Sequence, residues 1–223
     1  MEHEDWEKRK NDPAVLHPVG ALCLNDMTGY VSLVIGKDTA ESMRDLLYRT
    51  ITKKQKEMKD KGIELEGVLI LADGGGSNIA NGVTWLSEMM KLANMVKLPI
   101  DICHYPVGTS KRNAIEHFLW GAISAHWRGR PLLTIESVAR YITETSLCSE
   151  NLTSIECWVD PVHYKSNAEK KAAKEHVVTR KELDMKSEGR IEHEFTEADG
   201  DLYKLNCKVF PATAKSVSDT VVA

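Results

Sequence analysis

Gly67-Val68-Leu69-Ile70-Leu71-Ala72-Asp73-Gly74-Gly75-Gly76-Ser77-Asn78 is the stretch on which the reading of this chain turns. Six residues without a polar side chain are the mark of a strand buried on both faces. An Asp then stands where that strand ends, on the side of an open α/β sheet where ligands bind. The three glycines after it let the backbone pass close to a ligand. Taken alone, the segment also reads as a tight strand-to-helix turn with Asp73 as a cap. It is not a phosphate loop, because no Gly-Lys-Ser/Thr follows. It is not a dinucleotide fingerprint either, because Ile79 stands where the third glycine belongs.

Upstream, Gly20–Asn25 and Tyr30–Gly36 are short apolar runs around Asp26-Met27-Thr28-Gly29, which predicts a hairpin with glycine supplying the positive φ. Asp38-Thr39 offers an N-cap for a helix carrying Met43, Leu46, Leu47 and Ile51 at helical spacing. That helix runs into Lys53, Lys54, Lys56, Lys59 and Lys61 and stops at Gly62. The lysines read as a solvated face, with DNA contact the lesser reading. Downstream, Val83, Leu86, Met89, Met90 and Ala93 mark the inner side of a helix, and Ile100–Cys103 a strand. After the loop His104–Ser110, Lys111–Trp127 is a helix with Ile115, Phe118, Leu119, Ala122 and Ile123 on one face, closed by Gly129 and Pro131. The order β-β-α-β-α-β-α predicts an α/β fold, a mixed sheet with helices on its faces. Thr134–Ser146 reads as a further helix, and Ser154–Val159 and Leu202–Phe210 as strands. The charge-dense residues 165–194 read as a mobile or loosely helical excursion, and the C-terminal tail as disordered. The expected organisation is a divergent segment 1–19, a catalytic-type domain 20–150 and an extension 151–223.

The 223 residues suffice for one sizeable domain with a tail. With 29 basic and 33 acidic residues the net charge is −4, which argues against a surface wholly suited to nucleic acid but leaves room for a local basic groove. No apolar run approaches the ~18 residues that cross a bilayer, so no membrane partner is expected. The charged Met1–Lys10 predicts no secretory signal. Five cysteines, without a Cys-x-x-Cys pair, argue against a disulfide scaffold or zinc knuckle and for a reducing compartment, the cytoplasm.

A second motif runs from His104 to His117, HYPVGTSKRNAIEH. A strand ends, a polar loop follows, and a helix begins with Glu116 in its first turns. Glu116 flanks the apolar stripe of that helix, one turn after Arg112 and one turn before Trp120. A strand-end Asp and a helix Glu that converge would make a hard-oxygen site suited to Mg²⁺ or Mn²⁺. Glu116 has an equally weighted plain reading, a favourable charge near a helix N-terminus.

Together the two motifs resemble the catalytic core of insertion-sequence DDE transposases, and more narrowly the Rhodopirellula-type transposase family. The matching residues are Asp38-Thr39-Ala40, Asp73 to Asn78, Cys103 to Pro106, Gly108 to Lys111, Asn113, Ile115-Glu116-His117 and Trp127 to Leu132. Beyond residue 150, only Cys157, Asp160 and Tyr164 fit. The resemblance implies an RNase H-like fold, with Asp73 as the second catalytic Asp and Glu116 as the catalytic Glu, 43 positions later. It implies magnesium- or manganese-dependent hydrolysis at transposon ends, then attack of the freed 3′-hydroxyl on target DNA. Metal ions would activate the attacking oxygen and stabilise the leaving one, so both carboxylates would serve as metal ligands. Ser110, Lys111, Arg112 and His117 are the local candidates for gripping DNA, with His104 a further neighbour of the site.

The chain departs from the family pattern in several places. The family's first Asp lies on a strand upstream of the hairpin, and the first strand of the sheet is expected to be missing here. Asp5 and Asp12 lack a buried strand around them, and Asp26 reads as a turn residue. Ile79-Ala80-Asn81 stands where an aromatic and a basic residue are usual, and Val107, Arg112 and Ala114 replace a proline, an aromatic and a lysine. The expectation is a transposase-derived chain, inactive alone for want of the first Asp and prone to self-associate through an exposed sheet edge. The alternatives are a non-catalytic DNA-binding or assembly module and, third, a small phosphotransferase using the glycine loop.

Overall fold

The computed structural model describes residues 16–80, 82–106, 112–185, 189–198 and 201–212. Along the chain come β1 (Leu16–Cys23), β2 (Thr28–Gly36), α1 (Ala40–Asp60), β3 (Val68–Ala72), α2 (Val83–Val96) and β4 (Ile100–His104). A π-helical turn (Glu116–Trp120) then leads into α3 (Gly121–Trp127), followed by α4 (Ile135–Glu144) and β5 (Ser154–Tyr164). Two short helices, α5 (Asn167–Ala172) and α6 (Arg180–Met185), precede β6 (Gly189–Ala198) and β7 (Asp201–Pro211). The architecture is mixed α/β, with mixed sheets flanked by helices, consistent with an RNase H-like fold. Its strands fall into two sheets, one in each of two compact units: residues 1–47 with 107–177, and 48–106 with 178–223.

The first unit holds the order β1-β2-β5. β1 and β2 form the expected antiparallel hairpin, from Leu16↔Ile35 to Cys23↔Thr28, and β5 runs parallel to β2 with a bulge after Val34. Positive φ in the hairpin turn belongs to Met27 (54°), while Gly29 lies within β2. Gly29 has another task. A side chain built on it would come within 2.6 Å of Leu119 Cδ1, and one on Gly20 within 2.5 Å of the Trp120 ring. Gly20↔Val31 and Leu22↔Gly29 are paired, so both glycines share the face that carries Val31 and Leu33. That face and Leu119, Ile123, Val138, Ile142, Leu152 and Ile155 form one apolar core, and the glycines are the notch in it that admits the π-helical turn. On the opposite face Val19, Tyr30 and Val34 pack with Leu46 and Tyr164. Thr39 caps α1 as its position predicts: Ser42 N–H donates to Thr39 Oγ1 (3.2 Å), and Thr39 N–H to Ser42 Oγ (3.0 Å).

The second unit holds the order β3-β4-β7-β6, with β3 parallel to β4 and the β4/β7 and β7/β6 pairs antiparallel. β3 is therefore an edge strand. The apolar run that predicted burial on both faces has Leu69 61% and Leu71 43% exposed. A continuous apolar run does not reveal whether a strand has one neighbour or two. Helix α2 buries Leu86, Met89, Leu92 and Ala93, and Ile100 and Ile102 are fully buried in β4. Residues 165–194, expected as a mobile or loosely helical excursion, carry the short helices α5 and α6 and the start of β6, which pairs antiparallel with β7. No helix among the described residues is long and apolar enough to cross a membrane.

Candidate functional site

Asp73 follows directly on β3, with its carboxylate exposed. Its Oδ1 accepts the Gly75 N–H at 3.2 Å, an Asx turn that tightens the glycine loop. The helix-cap reading does not apply, since α2 begins after Gly82 without a side-chain cap. Gly74 (φ 74°) and Gly76 (φ 56°) are left-handed, so glycine serves backbone conformation at both. No atom of the described residues lies within 4 Å of the place of a missing Cβ on Gly76. The other side of the loop is anchored. Ala72 pairs with His104 at the ends of β3 and β4, Tyr105 N–H donates to Ala72 O (2.8 Å), and the buried His104 lies with Nε2 3.0 Å from Asn78 O. His104 thus ties the loop to the strand end, a structural task.

Glu116 opens the π-helical turn, whose closing bond runs from Gly121 N–H to Glu116 O. Such a turn inserts one residue relative to an α-helix and re-aims the side chains around it. Glu116, His117 and Phe118 are consecutively exposed, and Leu119 is fully buried. Among the described residues the Glu116 carboxylate has no hydrogen-bonding or ionic partner. Arg112 is exposed just ahead of this helix. Ser110 and Lys111 lie outside the described residues, as do Asp5 and Asp12. Asp26 is a turn residue, with Oδ1 accepting the Thr28 N–H at 3.2 Å.

Asp73 belongs to the second unit and Glu116 to the first. Exposed carboxylate oxygens are the donor chemistry that magnesium and manganese prefer. Among the described residues, however, no group of three or more His, Cys, Asp or Glu is placed to hold a metal. The lysines of α1 fit a solvated face: Lys54 Nζ lies 2.7 Å from Glu57, and Lys53 lies 4.0 Å from it.

Two groupings went unnoticed in the sequence. Beside Glu116, His117 lines an open cleft of about 570 Å³ with His126, Arg128 and Arg130, all within the first unit. The signal was present as three basic-type residues within five positions at a helix end. The second grouping joins three residues of the same unit: Tyr164 Oη is 2.7 Å from Asp45 Oδ2 and 3.0 Å from Asp160 Oδ2. Burial and these two carboxylates push the Tyr164 phenol well above its ordinary range. Asp160 and Tyr164, two of the sparse matches beyond residue 150, thus hold β5 to α1. Cys157, the third, is a half-buried thiol raised by desolvation to about 12.

No curated protein and no solved structure matches the chain. Residues 1–187 do match the family described as the Rhodopirellula transposase DDE domain. That match takes in both motifs, the hairpin before them and β5 after them. The chain belongs to this DDE transposase family.

Proposed function

We propose that the chain is a transposase-derived DNA-binding domain that carries two of the family's metal-binding carboxylates, Asp73 and Glu116, and does not cleave DNA alone. The observation that carries this reading is where those two stand. Asp73 is exposed where β3 ends and Glu116 is exposed where the π-helical turn begins, both within the segment matched to the family. Such carboxylates would hold Mg²⁺ or Mn²⁺, the group that supplies phosphoryl-transfer chemistry in this family. Two-metal catalysis needs about three carboxylates to fix its ions ~3.5–4 Å apart. The described residues offer no such group, so no reaction step is assigned to this chain by itself. The partners of this reading are transposon-end and target DNA, with further copies of the chain supporting assembly.

The deciding experiment incubates the full chain with labelled duplex in Mg²⁺ or Mn²⁺ and measures binding and nicking together. The expected result is salt-dependent binding without nicking, because phosphate contacts release counterions. Nicking that disappears in both Asp73→Asn and Glu116→Gln would overturn the inactive half of the reading. A flat binding curve at low salt would overturn the DNA-binding half.

A further inference from the structure

The cleft beside Glu116 has a chemistry of its own. It lies where α3 ends and is closed on the other side by the turn Thr145–Cys148 and by Asn151. Among the described residues its charged and titratable lining is His117, His126, Arg128 and Arg130, without a carboxylate. Arg130 is pre-oriented, 3.8 Å from Glu144 and 5.1 Å above the Tyr141 ring. Arg128 is exposed, and its guanidinium has no partner among the described residues. His126 Nε2 is buried without a hydrogen-bond partner, an unmet polar atom that a ligand oxygen would satisfy. Phe118, itself exposed, stands in the same lining as an aromatic surface.

Size narrows the ligand. At ~30 Å³ per water, about 570 Å³ holds on the order of twenty waters, far more than one inorganic phosphate displaces. Cations along one wall with an aromatic face nearby are the combination that holds a nucleic-acid strand by backbone charge and base stacking. We propose that this cleft seats a phosphodiester segment of a DNA strand, with Arg128 and Arg130 on the backbone and Phe118 against a base. The proposal rests on the DNA-binding reading above and adds the place of contact. His117, which lines the cleft, directly follows Glu116 in the chain.

The test is fluorescence anisotropy of a labelled single-stranded 20-mer and its duplex on the full chain, at several salt concentrations. Arg128→Ala with Arg130→Ala should weaken binding at least tenfold. It should also flatten the salt dependence by roughly 0.7–0.9 in log-log slope per lost phosphate contact. A second measurement needs no variant. Carboxymethylation of the exposed Cys148 places a negative charge in the lining and should weaken binding more than neutral carbamidomethylation does. If the unmodified chain binds DNA but neither change matters, the cleft proposal fails and the DNA-binding reading stands. If the unmodified chain binds no DNA, both fail. If inorganic phosphate or a mononucleotide binds in an Arg128-dependent way while DNA binding is unaffected, the cleft is a small-phosphate site and the strand proposal is refuted.

Discussion

The glycine notch gives a prediction that can be worked from distances. In Gly29→Ala the new methyl would lie 2.6 Å from Leu119 Cδ1 and 3.3 Å from Ile155 Cγ1. The far end of a leucine normally swings away at little cost, but Leu119 is 0% exposed and enclosed by the Val31, Ile123 and Ile142 cluster. Moving it means repacking a dense interior, which costs about 1–3 kcal/mol. Replacing glycine within a strand returns about 0.5–1 kcal/mol through backbone entropy. The difference leaves a net loss of roughly 0–2.5 kcal/mol, centred near 1. For a chain of this length that lowers the midpoint by about 0–10 °C. The assay is urea unfolding followed by tryptophan fluorescence, for Gly29→Ala, Leu119→Ala and the pair. Leu119→Ala alone should cost about 2–5 kcal/mol. The double variant should cost less than the two together by more than ~0.5 kcal/mol, since the truncated side chain makes room for the methyl. Additive energies, or a Gly29→Ala more stable than the parent, would refute the notch.

Three further outcomes follow from other contacts. Tyr164→Phe removes the hydroxyl between Asp45 and the 2%-exposed Asp160, and should destabilise the chain by about 1–3 kcal/mol in the same urea assay. Burial would raise the Glu41 carboxyl, but the Lys170 ammonium, its own backbone N–H and Thr39 outweigh it and hold the group below its ordinary 4.5. Its contribution to stability is therefore present above pH 4.5 and lost as the pH falls through the lower folded value. Glu41→Gln should differ most from the parent near neutrality and converge with it in acid, as read by unfolding midpoints against pH. Desolvation pushes the half-buried Cys157 thiol up to about 12 and the buried Cys207 thiol to about 11, so at pH 8 a thiol reagent should meet the exposed Cys148 first. The fast labelling phase should vanish in Cys148→Ser.

What was legible in the sequence was whatever is decided locally. The Thr39 cap, the stop at Gly62 (φ 75°), the hairpin pairing and the helix over 83–96 follow from adjacent residues, and each forms where the pattern places it. What depends on distant partners was not legible. The turn rule sends positive φ to Gly29, yet Leu119, ninety positions away, needs the space at that glycine, and Met27 takes the strained conformation. Ile115, Leu119 and Ile123 recur every four positions, which suits an α-helix. Only packing against the hairpin face distinguishes the π-helical turn. The strand Gly189–Ala198 lies in a stretch too charged to be read as one, and it forms because β7 supplies the ladder. The places of the two carboxylates, one at a strand end and one at the start of a helical turn, were legible. The cleft was not, since it needs the turn 145–148 to close around the end of α3.

The same local logic bears on how each carboxylate is held. A side chain can work on a substrate only if its backbone is fixed by contacts other than those it offers to the ligand. Glu116 meets that condition through Leu119 and Trp120, seated on Gly29 and Gly20, which leave Glu116, His117 and Phe118 outward on a turn with no slack. Asp73 meets it differently, through Ala72 in the ladder with His104, and through His104 in turn lying against Asn78 O at the far end of the loop. One anchor is apolar and the other polar, so they should fail separately. Overpacking at Gly29 should disturb Glu116 and the cleft together while sparing the glycine loop. Loss of the His104 imidazole should loosen residues 74–78 while sparing the cleft. Each unit's own sheet thus holds one of the two carboxylates from behind, with Asp73 also tightening its loop through the Gly75 N–H.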